Sequence, residues 1–163
     1  MKYIIITLFI FTILFLQIGI LPNLKIFNVY PNTILLIIIS LGVLRGWKEN
    51  LIWIIIVGLF LDFYSLYSFI GISVVALLLI NLFSRFVSQR FLKYENKLSL
   101  ILIFLFSCLL YEIFLIIIFK MFDIGYHITS LNLIVKLIYN SILGLPIFYI
   151  IKWYVDKVKQ VQS

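Results

Sequence analysis

The sequence predicts an all-α membrane protein of six transmembrane helices, with its N- and C-termini cytoplasmic. Three observations predict it. Of 163 residues, 65% are hydrophobic and 12% charged, whereas soluble domains are nearer half apolar and a quarter charged. A chain this short has too much surface for its volume to hide so much apolar side chain from water. The apolar residues gather into six stretches, and the cations gather on alternate connections between them.

The first stretch, Tyr3–Leu21, follows a basic tip. It is long for the apolar region of a signal peptide and no small-residue cleavage site follows it, so an uncleaved first span is expected. The next three, Asn32–Leu44, Leu51–Phe63 and Gly71–Ser84, are short against the roughly 20 helical residues that cross the hydrocarbon core. Each extends through its flanks: Arg45 and Lys48 can snorkel to headgroups, and Tyr64 and Tyr67 suit an interface. A re-entrant hairpin of the second and third stretches is the competing arrangement. Leu98–Phe119 and Asn132–Ile151 are long enough as they stand. The spans so drawn cover residues 3–21, 31–46, 48–67, 70–84, 98–120 and 132–151 of a single integral membrane domain. The connections Leu21–Pro31, Arg85–Lys97 and Lys120–Leu131 are too short to bury cores of their own.

Charge sets the orientation. With the N-terminus inside and six crossings, Lys2, Arg45, Lys48, Arg85, Arg90, Lys93, Lys97, Lys152, Lys157 and Lys159 lie on the cytoplasmic side, against Lys25, Lys120 and Lys136 outside. This is the positive-inside pattern. It accounts for the net charge of +7 without nucleic acid as a partner, and points the loop "SRFVSQRFLKYENK" at anionic membrane lipids instead. Trp47, Trp53, Trp153 and Tyr154 fall near the inner boundary and Tyr30, Tyr64, Tyr67 and Tyr126 near the outer one, the depths that amphipathic rings favour.

Catalytic signatures are missing. One histidine (His127) cannot build a His-Glu-x-x-His zinc site, and one cysteine (Cys108) can form neither a disulfide within the chain nor a metal cluster. There is no phosphate-binding glycine loop, no nucleophile elbow and no pair of aspartates spaced for Mg²⁺. The expectation is a protein that is not an enzyme, with no catalytic residues, cofactor or metal.

What remains is a small set of polar and glycine positions in apolar surroundings. A charge at the centre of a membrane helix costs about 2.5–3.5 kcal/mol on insertion scales, so Gln17, Asp62, Glu112, Asn140 and Ser107 should face protein or water. Glu112 and Asn140 lie at matching depths on spans joined by one connection. A Glu112–Asn140 hydrogen bond is expected, with Tyr139 as substitute partner and the acid neutral, because burial disfavours a carboxylate. Asp62 lies about one turn from the outer end of its span, with Gly58 four residues earlier on the same face. It either marks the water boundary and stops the helix or makes a buried contact to a neighbouring helix or partner; a transport or proton-relay role is a third reading. Gly46 reads as a helix C-terminal residue, with Gly42 nearby and Arg45 suited to the negative end of the dipole. Pro146 removes a backbone bond and should kink the last span.

The run "YPNTILLIIISLGVLRGWKENLIWIIIVGLFLDFYSLYSFIG" resembles the rod shape-determining MreD family. The residues that carry the resemblance are Pro31, Gly42, Arg45, Gly46, Gly58, Asp62 and Gly71, with Gln17 in the first span and Tyr139, Asn140 and Pro146 in the last. Asn50 stands where some members have glycine. The resemblance implies a non-catalytic inner-membrane subunit of the bacterial elongation machinery. Its implied partners are an MreC-like single-span protein, the MreB filament, the polymerase RodA and its penicillin-binding transpeptidase. It also implies a plan similar to the substrate-binding subunits of energy-coupling-factor vitamin transporters, which supply the alternative function. The first span, "IIITLFIFTILFLQIGIL", lacks the small-residue stripe those subunits use to meet their coupling partner. On this reading Asp62→Ala should weaken association with an MreC-like partner while the chain still inserts.

Overall fold

The structure, a computed structural model, describes residue 19 and residues 29–45, 47–65, 70–123 and 129–160. The first expected span apart from Gly19, and with it Gln17, lies outside the described residues, as does Gly46. Those described form five helices and no strand: α1 (Thr33–Leu44), α2 (Trp47–Ser65), α3 (Ile72–Arg90), α4 (Lys97–Met121) and α5 (Ser130–Gln160). Three of them, α3, α4 and α5 over Ser130–Lys157, are long and apolar enough to cross a membrane.

Local chemistry fixes several helix ends. The Asn32 side chain accepts the Leu35 N–H at 3.1 Å and Asn96 accepts the Leu98 N–H at 3.0 Å. Thr129 Oγ1 accepts the Asn132 N–H at 3.3 Å. Each side-chain oxygen satisfies an N–H that the first helical turn leaves without a partner. Lys120, in the last turn of α4, suits the negative end of that helix dipole. Serines inside the apolar helices bond to their own backbone: Ser40 Oγ donates to the Leu36 carbonyl and Ser141 Oγ to the Leu137 carbonyl, each at 2.7 Å. This i−4 bonding lets a hydroxyl sit in an apolar medium.

The shortest helix sits at the centre. Over its 12 residues α1 carries no polar face, and its buried positions run round the cylinder: Ile34, Leu35, Leu36, Ile38, Ile39, Ser40, Gly42 and Val43. A helix apolar on all sides belongs in an interior. It packs chiefly on α3 and α5, α2 packs on α3, and α4 bridges α3 and α5. The consecutive helices α1 and α2 share less contact with each other than each shares with α3. The outward positions of the long helices carry large apolar side chains, among them Ile134, Ile138 and Ile142 on α5 and Phe106, Ile113 and Ile117 on α4.

Three boundaries differ from those expected. Instead of residues 31–46, α1 covers Thr33–Leu44, about 18 Å at 1.5 Å per residue, which is less than the hydrocarbon thickness of about 30 Å. Residues 29–32 approach it as non-helical chain. The stretch expected to end at Ser84 continues as helix to Arg90, so "SRFVSQR" is helical and the connection shrinks to 91–96. The last helix continues beyond Ile151 to Gln160. Hydropathy marks where the chain leaves an apolar medium; a helix stops where a glycine, a cap or a turn stops it, and no such signal lies between Arg85 and Arg90. Helix α5 also runs through Pro146, with helical residues on both sides of it.

Candidate functional site

Four polar side chains, Asn140, Asn81, Asn50 and Arg85, converge on the backbone of α1 and its two flanking residues. At its N-terminal end the Asn32 N–H donates to Asn140 Oδ1 of α5 at 2.9 Å. Asn140 Nδ2 donates in turn to the Lys136 carbonyl, also at 2.9 Å. Midway, Asn81 Nδ2 of α3 donates to the Ile38 carbonyl at 3.0 Å. Towards the C-terminus, Asn50 Nδ2 of α2 donates at 3.1 Å to the Leu41 carbonyl, which also accepts the Arg45 N–H at 2.8 Å. At the end, Arg85 Nη1 of α3 donates to the Arg45 carbonyl at 2.6 Å. Side chains of three other helices thus hold the main chain of the shortest one. A helix whose ends are buried needs such partners, because an end group left unpaired away from water costs about as much as a lost hydrogen bond. Gly42 makes room for the arrangement: a Cβ at that position would overlap Ser84 Oγ and come within 2.7 Å of the Asn81 carbonyl oxygen.

A second knot joins α2 to α3. Asp62 is 2% exposed. Its Oδ2 accepts the Gly71 N–H at 2.6 Å and its Oδ1 the Ser73 N–H at 2.9 Å. The carboxylate therefore lies on the N-terminus of α3, where free N–H groups and the positive end of the dipole favour an anion. Gly71, at the N-cap, has φ +109° and no side chain to cap with; Asp62 supplies the cap from the neighbouring helix. Helix α2 continues past Asp62 to Ser65, so the acid does not stop it. One turn earlier, a Cβ on Gly58 would lie 2.7 Å from Val74 Cα, a main-chain approach that only glycine allows.

The third knot joins α4 to α5 and corrects an expectation. Glu112 pairs with Lys136, Nζ to Oε1 at 2.7 Å, with side chains 3% and 22% exposed. Asn140 spends its amide on Asn32 and on the Lys136 carbonyl, so the expected Glu112–Asn140 bond is not formed. Gly144, further along α5, faces Phe104, whose ring atoms would lie 2.6–2.8 Å from a Cβ.

Of the remaining expected positions, Pro31 is buried in the chain leading to α1, Arg45 is the C-cap of α1, and Pro146 is exposed on α5. Ser107 is fully buried with its hydroxyl unpartnered. Sequence reasoning missed Asn81, Asn50, Arg85 and the inward role of Lys136. Two signals were present. Asn81 is a lone amide in the run "VVALLLINLF", and Lys136 is a lone cation four residues before Asn140 on the same helical face.

Chemically, these knots offer acceptors to N–H groups and donors to carbonyls; they bind helices. Among the described residues, no three His, Cys, Asp or Glu side chains gather as a metal site requires. No protein-family model, curated protein or solved structure matches the chain.

Proposed function

We propose that this chain is a non-catalytic, multi-pass subunit of a bacterial inner membrane that works by binding other membrane proteins. In this reading it crosses six times with both termini in the cytoplasm. It belongs to the elongation machinery as the MreD resemblance implies, helping to maintain cell shape by linking cell-wall synthesis to an MreC-like partner and the MreB filament. RodA and its penicillin-binding transpeptidase would be further neighbours. The observation that supports the reading is how the polar groups at depth are used: Asp62, Asn81, Asn140 and the Glu112–Lys136 pair each contact another helix of the same chain. Such a frame is suited to holding a rigid shape for neighbours rather than to turning over a substrate.

Gentle extraction of the full chain and identification of what accompanies it tests the proposal. Cell-wall subunits are the expected companions. An ATPase module or a bound vitamin would instead assign the chain to the substrate-binding subunits of energy-coupling-factor transporters. Reporter fusions after Trp153 test the topology, and an external signal there would overturn the six-span arrangement.

A further inference from the structure

We infer that the end of the bundle built from the end of α3, the 91–96 connection and the end of α5 is a binding face for anionic phospholipid headgroups. Three contacts organise it. Lys152 lies over the Tyr94 ring at 5.8 Å, Lys157 over Trp153 at 4.1 Å and Arg90 over Phe86 at 5.7 Å. All are within the reach at which a ring holds a cation. The connection is itself seated on α5, since Tyr94 packs on Phe148 with centroids 6.1 Å apart. Phe91 packs edge-on against Phe86 at 5.7 Å. The cations are therefore positioned by rings that belong to packed elements.

Two features choose the occupant. Residues 85–98 and 148–157 hold six cations, Arg85, Arg90, Lys93, Lys97, Lys152 and Lys157, against two acids, Glu95 and Asp156, so the complement is anionic. Between the cations stand large apolar side chains that the chain leaves bare: Phe91 is 70% exposed, Leu98 64% and Trp153 60%. A soluble acidic partner would meet the charges and leave these apolar side chains in water. A bilayer surface meets both, with phosphates for the cations and the glycerol and upper acyl region for the rings.

The test uses the full chain with Trp47→Phe and Trp53→Phe, so that Trp153 is the only tryptophan and is excited selectively over the tyrosines, in phosphatidylcholine vesicles carrying trace brominated lipid. Brominated phosphatidylglycerol is expected to quench Trp153 at a several-fold lower mole fraction than brominated phosphatidylcholine, and high salt should shrink the difference. Each of Arg90→Gln, Lys152→Gln and Lys157→Gln should weaken the preference by about fivefold at most, the weight of one cation near a charged surface, and the triple variant should abolish it. Lys120→Gln, at the far end of α4, should leave it intact. Equal quenching by the two lipids in the parent chain overturns the inference, as does a preference that survives all three substitutions. A polyglutamate peptide that abolishes the phosphatidylglycerol preference by binding this face more tightly would assign it to an acidic protein and overturn the lipid reading. If the triple variant fails to fold, the parent chain's salt and lipid series still decides.

Discussion

Asn140 and Asn32, 108 positions apart, meet through one hydrogen bond of 2.9 Å from the Asn32 N–H to the Asn140 side-chain oxygen. It ties the start of the most buried helix to the first third of the longest of those described. Asn32 also caps α1 with its own side chain, so the residue is fixed at two atoms. Asn140→Leu keeps the branched side-chain shape and removes the acceptor, leaving a part-buried N–H without that partner. The expected cost is about 1–3 kcal/mol, read as a lower unfolding midpoint in bicelles. Asn140→Asp, which keeps an acceptor oxygen, should recover part of it.

Glu112 and Lys136 make a second prediction through a cycle of variants. Removing one member of a buried ion pair leaves an uncompensated charge, and such changes cost about 3–5 kcal/mol; replacing both by apolar residues is often neutral. Lys136 retains 22% exposure, so Lys136→Met should be the more damaging single change. It strands an acid only 3% exposed, whereas the lysine stranded by Glu112→Leu can reach towards water. The double variant should unfold later than Lys136→Met alone. A double variant less stable than both singles would mean that the pair is not a unit.

The contrast between these knots shows what the sequence made legible. Asp62, Glu112 and Asn140 announced themselves because an acid or amide in a long apolar run has few bland explanations. Their partners did not. The groups that Asp62 binds are main-chain N–H groups of Gly71 and Ser73, and a backbone donor has no residue type to betray it. Lys136 looks like a surface cation in sequence because its position near the start of a span is where positive charge is common, and only the register of α4 against α5 turns it towards Glu112. The length of α1 was hidden for a related reason: a mostly apolar run of twelve residues suggests a truncated span until neighbours are seen to cap both of its ends.

Asp62 carries a third prediction, about separating stability from association. Asp62→Ala removes a charge-assisted cap from α3, worth about 0.5–2 kcal/mol, and Asp62→Asn should lose less because one acceptor oxygen survives. If either variant also releases a membrane partner, the release should track its loss of stability. A partner lost at unchanged thermal stability would show that the carboxylate has a role outside the chain. Gly71→Ala, which forces a side chain into φ +109°, should lower stability by about 1–2 kcal/mol through the same helix start.

The glycines at helix contacts give the last prediction, because they differ in what stands opposite. At Gly58 a new methyl would strike Val74 main chain as well as side chain, with Cα and N at 2.7 and 2.8 Å. Main chain inside a helix cannot rotate aside, so α2 and α3 must separate. Separation would also pull Asp62 from the N–H groups of Gly71 and Ser73. At Gly144 the obstacle is the ring of Phe104, a side chain fully buried but able to tilt at some packing cost. Gly58→Ala should therefore be the more destabilising, by more than the roughly 1–3 kcal/mol typical of overpacking, and Gly144→Ala should stay within that range. Combining Gly58→Ala with Asp62→Ala should cost less than the sum of the two, since the first change already breaks the contact that the second removes. Unfolding midpoints of the four chains in one lipid mixture decide the matter, and strict additivity would show that the close approach at Gly58 and the cap from Asp62 are independent.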